Sequence, residues 1–239
     1  MTQVSIPNAR RDSYLVQARA DGPAFYSLIG EAGRRLDAMG SEARYTRGAM
    51  LFVEGESARR IFILRNGRIK LSITSREGKT MILRIAEDGD VLGLSAALTA
   101  SEHELSAEAL EPCRVTAIAA HDFKIFIQDY PEAALEATRC VLNEYQLVLR
   151  DLRRLALPET IAGRLAHLLL DWLNRRCQSG HTLPRYNVGL THEEIAAMTG
   201  TSRETVNRVL QQFQRKKFIR IHGASLTVLK RKALEQLAS

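Results

Sequence analysis

The hydrophobic pattern of this 239-residue chain changes from a strand period to a helix period along its length. Between residues 45 and 119, apolar residues occur in short runs, such as the alternating Arg68–Thr74, and turns such as Asn66-Gly67 separate them. Short strands with frequent turns are typical of an antiparallel β-barrel or sandwich, and Asn-Gly is a strong hairpin signal. The predicted strands are Met50–Val53, Arg60–Leu64, Arg68–Thr74, Thr80–Ile85, Ser106–Ala109 and Arg114–Ala119.

The residues before this region do not show the strand pattern. Residues 1–24 are polar and mixed, and we expect a loose arm there. A short helix is predicted over Phe25–Met39.

The period becomes helical near residue 121, and Pro131 suits the first turn of a long helix. Apolar positions then recur at spacings of three and four, which makes a heptad seam. Such a seam packs either on its own domain's core or on a second copy of the helix. Its place between the two halves of the chain favours a parallel dimer helix. The seam residues are Leu135, Thr138, Leu142, Tyr145, Leu149 and Leu152.

Pro158 interrupts this pattern and marks a hinge. A helix is predicted over Thr160–Arg176, and a loop over Gly180–Asn187 leads to a possible short strand, Tyr186–Leu190. The buried face of the helix is predicted to hold Ile161, Leu165, Leu168, Leu169 and Trp172.

Residues 191–210 carry the most informative pattern, two short amphipathic helices joined by a tight turn. Gly200 stands where a left-handed residue would end the first helix, and Ser202 suits the N-cap of the second. Any αα-hairpin can show such a turn, but the polar face of the second helix favours a DNA-binding helix-turn-helix, because its side chains are types that reach base edges in a major groove. These side chains are Arg203, Glu204, Thr205, Asn207 and Arg208.

A β-hairpin is predicted directly after these helices. Phe218–Ile221 and Ser225–Leu229 would be its strands, and His222-Gly223 its turn. A hairpin after a recognition helix forms the wing of a winged helix-turn-helix, and Lys230–Lys232 adds a basic cluster behind it.

The charge distribution supports binding to a polyanion. Residues 157–239 hold 13 Lys and Arg against 6 Asp and Glu, whereas residues 1–156 hold 21 of each, so the whole net charge of +7 lies with the helix-turn-helix. No apolar run approaches the roughly 20 residues that span a bilayer, and the N-terminus has no apolar signal core. We therefore expect a cytoplasmic protein with no membrane partner.

Little in the chain indicates metal, redox or enzyme chemistry. Cys113, Cys140 and Cys177 are widely spaced and form no CxxC pair. Glu87–Asp90 lacks the 12-residue calcium-loop pattern, so we expect a β-turn there. The sequence has no nucleophile elbow, P-loop or HExxH motif. We therefore predict no catalytic residue, no metal site and no enzyme activity.

The order of these parts resembles the Crp/Fnr family of bacterial transcription regulators. Thr201–Arg208 carries the most specific likeness; further matches are Gly55-Glu56 with Ile61–Leu71, and Glu77–Leu83 with Gly89–Gly93. The resemblance implies an α+β fold: an antiparallel β-roll like the cyclic-nucleotide-binding jelly roll, a dimerisation helix and a winged helix-turn-helix. The implied boundaries are an arm over 1–24, the β-roll over 25–130, the dimer helix and hinge over 131–157, and the DNA-binding domain over 158–239.

The resemblance also assigns roles within the helix-turn-helix. Arg203 and Arg208 would read guanines and Glu204 a cytosine amine, as in family members that bind TGTGA-like half-sites. Asn207 replaces a small residue and leaves the adjacent base open, while Thr191 would contact phosphate. The implied DNA-binding residues are Thr191, Ser202, Arg203, Glu204, Thr205, Asn207 and Arg208. The implied partners are a palindromic duplex, a second copy of the chain and RNA polymerase.

The effector region departs from the family's cyclic-nucleotide pattern. Leu94 replaces the glutamate that holds the ribose, and Leu105 replaces the arginine that pairs with the cyclic phosphate, although Ser106 is retained. A buried phosphate without its arginine would cost several kcal/mol. We therefore predict no cofactor and no cAMP binding by the usual mode. The candidate pocket residues are Gly93, Leu94, Ser95, Ala96, Leu105, Ser106, Val148 and Leu149.

Other effectors and functions stay open at this point. No cysteine precedes Cys113, which argues against an iron–sulfur sensor, and His103 or His121 alone is weak support for haem. An apolar small molecule, or no ligand at all, fits the Leu-lined pocket better. A ligand-sensing β-roll adaptor without DNA readout is the alternative from another functional class.

Overall fold

The computed structural model describes residues 25, 28, 30–156, 160–178, 185–187, 189–222 and 225–238. The predicted arm over residues 1–24, Pro158 and the loop residues 179–184 lie outside the described residues. Spatially the chain forms two compact units, one from residues 1–71 and 85–146 and one from residues 72–84 and 147–239.

Short strands dominate the chain up to residue 119, and helices frame them. The elements there are α1 (Gly30–Met39), β1 (Ser41–Tyr45), β2 (Met50–Phe52), β3 (Arg60–Asn66), β4 (Ile69–Thr74), β5 (Thr80–Ala86), β6 (Val91–Leu92), α2 (Leu94–Thr99), β7 (Ser106–Ala109), β8 (Cys113–Ala119) and α3 (Ala120–Asp129). The strands form two sheets, with orders β1-β8-β3-β6 and β2-β7-β4-β5, and β8 pairs antiparallel with both β1 and β3. This arrangement confirms the predicted antiparallel β architecture.

Strand β3 is buried on both faces, and this organises the core. Ile61 and Ile63 belong to an apolar cluster that includes Phe123 and Phe126 of α3, whereas Phe62 and Leu64 belong to a second cluster that includes residues of both sheets. Because side chains alternate across a strand, one strand can serve both clusters. The sequence of β3 is therefore almost continuously hydrophobic because each face of the strand packs against an apolar cluster.

The prediction of a hairpin at Asn66-Gly67 was wrong. Strands β3 and β4 flank this turn but lie in different sheets, so the chain crosses from one sheet to the other there. Gly67 has a φ of +106°, and a Cβ at this position would lie 2.6 Å from Cys113 Sγ and 2.9 Å from the Pro112 carbonyl oxygen. The glycine is required by close approach of the chain, not by a two-residue hairpin.

Other boundaries also differ from the predictions. The first helix among the described residues begins at Gly30, and Phe25, where the predicted helix would start, has a φ of +63°, outside the right-handed helical region. Strand β1 and helix α2 were not predicted. The sequence of β1 is polar because no residue of this strand is fully buried, and α2 is a short apolar segment without a helical period.

A long helix and the winged region complete the fold. The elements are α4 (Pro131–Ala156), α5 (Ile161–Gln178), β9 (Arg185–Asn187), α6 (His192–Thr199), α7 (Arg203–Arg215), β10 (Ile219–His222), β11 (Ser225–Val228) and α8 (Arg231–Ala238). The wing hairpin is confirmed, and β9 extends it to a sheet of order β10-β11-β9. Helix α8 was not predicted; it begins in the basic cluster and packs on α5, where Arg231 Nη2 donates to Asn174 Oδ1 at 2.9 Å.

Two further findings concern membrane-spanning helices and metal-binding side chains. Among the described helices, none combines the length and the hydropathy that crossing a membrane requires. No group of three or more His, Cys, Asp or Glu side chains within the described ranges is placed to hold a metal ion.

The crossover at Gly67 generates a stability prediction. Gly67→Ala should lower the free energy of unfolding by more than about 2 kcal/mol, because the added methyl meets Cys113 and the backbone of Pro112 in addition to straining φ. Gly78 is the matched control, since its φ is +80° and its Cβ would meet nothing within 4 Å. Gly78→Ala should cost only about 1 kcal/mol. Urea denaturation of both variants measures the difference, and equal costs would contradict the crowding argument.

Candidate functional site

Helix α6 is fixed at its start by reciprocal hydrogen bonds. Thr191 Oγ1 accepts from the Glu194 N–H at 3.1 Å, and Glu194 Oε2 accepts from the Thr191 N–H at 2.7 Å, which completes a capping box. The Thr191 hydroxyl also donates to Glu194 Oε2 at 3.0 Å. Thr191 therefore caps α6, and its contact with phosphate stays a prediction. The Thr-x-x-Glu spacing in the sequence could have revealed the role of Glu194.

The turn between α6 and α7 is held from two sides. Gly200 adopts the left-handed conformation, with φ +65° and ψ +39°, and its N–H donates to the Ala196 carbonyl. Arg164 of α5 donates from Nη1 to the Thr199 carbonyl at 3.2 Å, at the negative end of α6. No sequence signal pointed to Arg164, because the contact joins residues that are 35 positions apart.

Helix α7 begins and packs as the sequence predicted. Ser202 is its N-cap, and its hydroxyl accepts from the Thr205 N–H at 3.3 Å and contacts Thr205 Oγ1 at 3.2 Å. The inward side holds Val206, Val209, Leu210 and Phe213, all at most 6% exposed. Burial of this stripe fixes which face of α7 points outward.

The outward face of α7 brings the predicted base readers together. Arg203, Glu204, Asn207 and Arg208 are all exposed, and their spacings of three and four place them on one side of the helix. Thr205 is half-buried beside them. The first turns of α7 therefore present two guanidinium groups, one carboxylate and one amide to a partner.

The carboxylate on this face is held in its charged form. The pKa of Glu204 is lowered by hydrogen bonding to its own backbone N–H, by the Ser202 hydroxyl and by the charge of Arg203. An ionised carboxylate can only accept hydrogen bonds. Glu204 is thus suited to a donor such as the cytosine amine.

The candidate effector residues lie in three parts of the chain: Gly93–Ala96 at the start of α2, Leu105 and Ser106 at the start of β7, and Val148 and Leu149 on α4. Leu94 and Ala96 are 1% and 2% exposed in α2 and pack into the core, while Ser95 is half-buried. Gly93 caps α2 in the left-handed conformation. The position expected for a ribose-binding carboxylate is thus a core leucine.

The two candidate residues at the start of β7 are one apolar and one polar side chain. Leu105 packs against the cluster that contains Phe62 and Leu64, and Ser106 Oγ accepts from the Glu54 N–H at 3.0 Å. The retained serine hydroxyl therefore supports the loop at Glu54. The effector pocket stays a prediction.

His103 is a packed residue of the same region. Its ring stacks on Phe52 with centroids 3.9 Å apart, and only 5% of the residue is exposed. Burial lowers the pKa of His103, against the opposite effect of Glu56 and Glu104. The His103 imidazole is therefore a packing group of the protein interior. His121, in contrast, is exposed on α3.

The predicted dimer seam is an exposed apolar stripe on α4. Ala133, Ala137 and Leu147 on other sides of the helix are buried. The large seam residues remain 39–60% exposed: Leu135, Leu142, Tyr145, Leu149 and Leu152. Val148 is 46% exposed next to them, and the exposed Thr138 donates its hydroxyl proton to the Ala134 carbonyl at 2.9 Å. The seam therefore does not lie on the core of its own chain.

Two of the cysteines have described side chains. Cys113 is buried and donates to the Arg68 and Glu111 carbonyl oxygens, and Cys140 packs against the core with its pKa raised by burial to about 12. Both are free thiols. The side chain of Cys177 lies outside the described residues.

Comparison with known families matches both halves of the chain. Residues 42–130 match the cyclic nucleotide-binding domain, and residues 163–237 match the Crp-like helix-turn-helix domain. The two matches occur in the order that the sequence pattern predicted.

Individual proteins agree with this assignment. The chain is 29% identical over 185 residues to a CRP-like cAMP-activated global transcriptional regulator of Mycobacterium tuberculosis, which covers 77% of this chain and 82% of the relative. It is 26% identical over 216 residues to the probable transcriptional regulator flp of Lacticaseibacillus casei, covering 90% and 95%. Among solved structures, FixK2 from Bradyrhizobium japonicum has the same fold, with a TM-score of 0.74, 20% identity and coverage of 84% of this chain and 98% of that one.

The paired domains, the curated relatives and the recognition helix lead to one identification. The chain belongs to the Crp/Fnr family and is a DNA-binding transcription regulator, not an enzyme.

Proposed function

We propose that the protein acts as a homodimer on a palindromic operator with TGTGA-like half-sites. The exposed row of Arg203, Glu204, Asn207 and Arg208 at the start of α7 carries this proposal. Arg can donate two hydrogen bonds to guanine, and Glu accepts from cytosine. The basic character of residues 157–239 would supply affinity for phosphate, while the α7 side chains supply sequence preference.

The homodimer is supported by the seam on α4. Five large apolar side chains at heptad spacing are exposed along one helix: Leu135, Leu142, Tyr145, Leu149 and Leu152. A second copy of the same helix offers the same surface, as a two-fold interface requires. Two copies of α7 related by a two-fold axis would read two half-sites of a palindrome.

For the effector, we propose that cAMP does not bind in the usual mode. The M. tuberculosis relative is described as cAMP-activated. In this chain, however, Leu94 is a core residue, and Leu105 offers no charge to a cyclic phosphate. An effector-independent regulator is the second candidate, because the packing of Leu94 and Ala96 needs no ligand to complete it. We also propose that the protein acts in the cytoplasm and contacts RNA polymerase at the promoters that it controls.

Selection of bound duplexes from random DNA is the experiment that tests this function. We expect a palindrome whose half-sites resemble TGTGA, with a preferred base opposite Asn207. Repeating the selection with cell extract would reveal an effector through a change in enrichment. If no DNA sequence were enriched either with or without cell extract, the proposed function would be contradicted.

Arg203 provides the sharpest test of base reading. Arg203→Ala should weaken binding to the selected operator by about 1–3 kcal/mol and relax the preference at one base pair, because a bidentate contact to guanine is lost. Arg34→Ala is a suitable control, since Arg34 is exposed on α1 in the other unit. Fluorescence anisotropy on operator and substituted duplexes measures both effects. An equal loss on random DNA would count against base reading.

Leu142 tests the dimer. Leu142→Glu should shift the protein toward monomer, because two carboxylates would meet in an apolar seam. Operator affinity should fall with it. Ile125→Glu is the matched control: Ile125 is an exposed hydrophobic residue, at 43%, but it lies on α3 away from the seam. Sedimentation equilibrium distinguishes the outcomes, and a Leu142→Glu variant that remained dimeric would refute the seam.

Calorimetry tests the effector proposal. Titration with cAMP should show no stoichiometric binding, because Leu105 stands where an arginine would pair with the cyclic phosphate. Operator affinity should be the same with and without cAMP. Tight binding that also changed DNA affinity would refute this part of the proposal.

A further inference from the structure

The turn between α7 and the wing strand β10 places a lysine in a conformation that favours glycine. Lys217 has a φ of +58°. Its N–H donates to the Gln214 carbonyl at 2.9 Å, and the Phe218 N–H donates to the Phe213 carbonyl at 2.9 Å. These two bonds form a Schellman motif in which Lys217 takes the left-handed position. A side chain at this φ strains the backbone by about 1–2 kcal/mol.

Contacts of the Lys217 side chain with the described residues do not offset this strain. Lys217 is exposed, and its side chain forms no ion pair or hydrogen bond with another described residue. Positive charge does stabilise the end of a helix, but Arg215 in the last turn and Lys216 at the cap already provide it. The strain at Lys217 is therefore not offset by a local partner.

Lys217 belongs to a group of cations without carboxylate partners. Arg215, Lys216, Lys217 and Arg220 are all exposed, and none has an ion pair within the described part of the chain. Lys216 Nζ is 5.9 Å from the centre of the Phe218 ring. We call Lys216, Lys217 and Arg220 the turn cluster.

Several basic residues of the β-roll have carboxylate partners. Arg44 is paired with Glu42 at 3.1 Å. Arg68 contacts Glu111 at 2.7 Å, and Lys70 contacts Glu108 at 2.8 Å. The three cations of the turn cluster have no such carboxylate partner among the described residues, so their charges stay available to an anion.

We propose that the turn cluster binds the DNA sugar–phosphate backbone outside the groove that α7 reads. This inference rests on the proposed function. Helix α7 has 13 residues and is therefore about 20 Å long, whereas the major groove is about 12 Å wide. With Arg203 in the groove, the far end of α7 lies beyond its edge. Phosphates are the chemical group available there, and they match the charge of the cluster.

Two variants of Lys217 separate its charge from the conformation of the turn. Lys217→Asn removes the charge with a residue that tolerates the left-handed region, and Lys217→Arg retains the charge. Lys79→Gln is the control for net charge, because Lys79 is exposed just before β5, outside the basic residues 157–239. Each variant is made in the full-length protein.

The measurement is the affinity for the selected operator and for a random duplex between roughly 50 and 200 mM salt. Lys217→Asn should weaken binding to both duplexes about 3- to 10-fold and reduce the slope of log affinity against log salt by about 1. Its Tm should not fall, since the strained side chain is replaced. Lys217→Arg should bind like the wild type.

Several results would overturn the inference. These are an unchanged salt slope for Lys217→Asn, a loss confined to the operator, or an equal loss for Lys79→Gln. The proposed function fails separately, when the wild-type protein itself prefers no operator sequence. A wild type that selects an operator while Lys217→Asn behaves identically would refute the turn cluster alone.

Discussion

Burial of one apolar stripe on the recognition helix is the constraint on which the DNA-binding surface depends. Val206, Val209, Leu210 and Phe213 are almost completely enclosed, and each such side chain contributes about 1.5–3 kcal/mol when it leaves water. Because a helix has 3.6 residues per turn, burying this stripe forces the opposite residues outward. The polar row at the start of α7 is therefore oriented by packing before any DNA is present.

The two ends of the same helix are fixed by different means. Before α7, Gly200 takes a left-handed conformation at little cost, and Arg164 secures the turn through the Thr199 carbonyl. After α7, the equivalent backbone conformation falls on Lys217. A glycine serves where the turn has only to be tight, and a lysine is found where the turn also carries charge into a basic surface.

Two candidate effector positions of the β-roll are held by contacts within the chain. Leu94 lies in the core, and the Ser106 hydroxyl supports a loop through the Glu54 amide. Both side chains therefore have packing or hydrogen-bonding roles within the chain itself. The exposed seam on α4 remains as the surface by which this fold would join two copies.

The sequence by itself determined the features that depend on neighbouring residues. These are most strands, the long helix begun by Pro131, the caps Thr191 and Ser202, the position of the base readers and the location of the net charge. Local periodicity and capping set all of them, because the interacting groups lie within a few positions of each other.

The tertiary structure decided what depends on distant partners. It placed β3 and β4 in different sheets at Gly67, formed β1 from a polar sequence, packed α8 on α5 and brought Arg164 to the turn at Gly200. It also left the large apolar side chains of the α4 seam exposed, so that they do not pack in the core formed by the described residues. In each case the deciding contact joins residues far apart in the chain, and no local pattern specifies which distant surface a residue will meet.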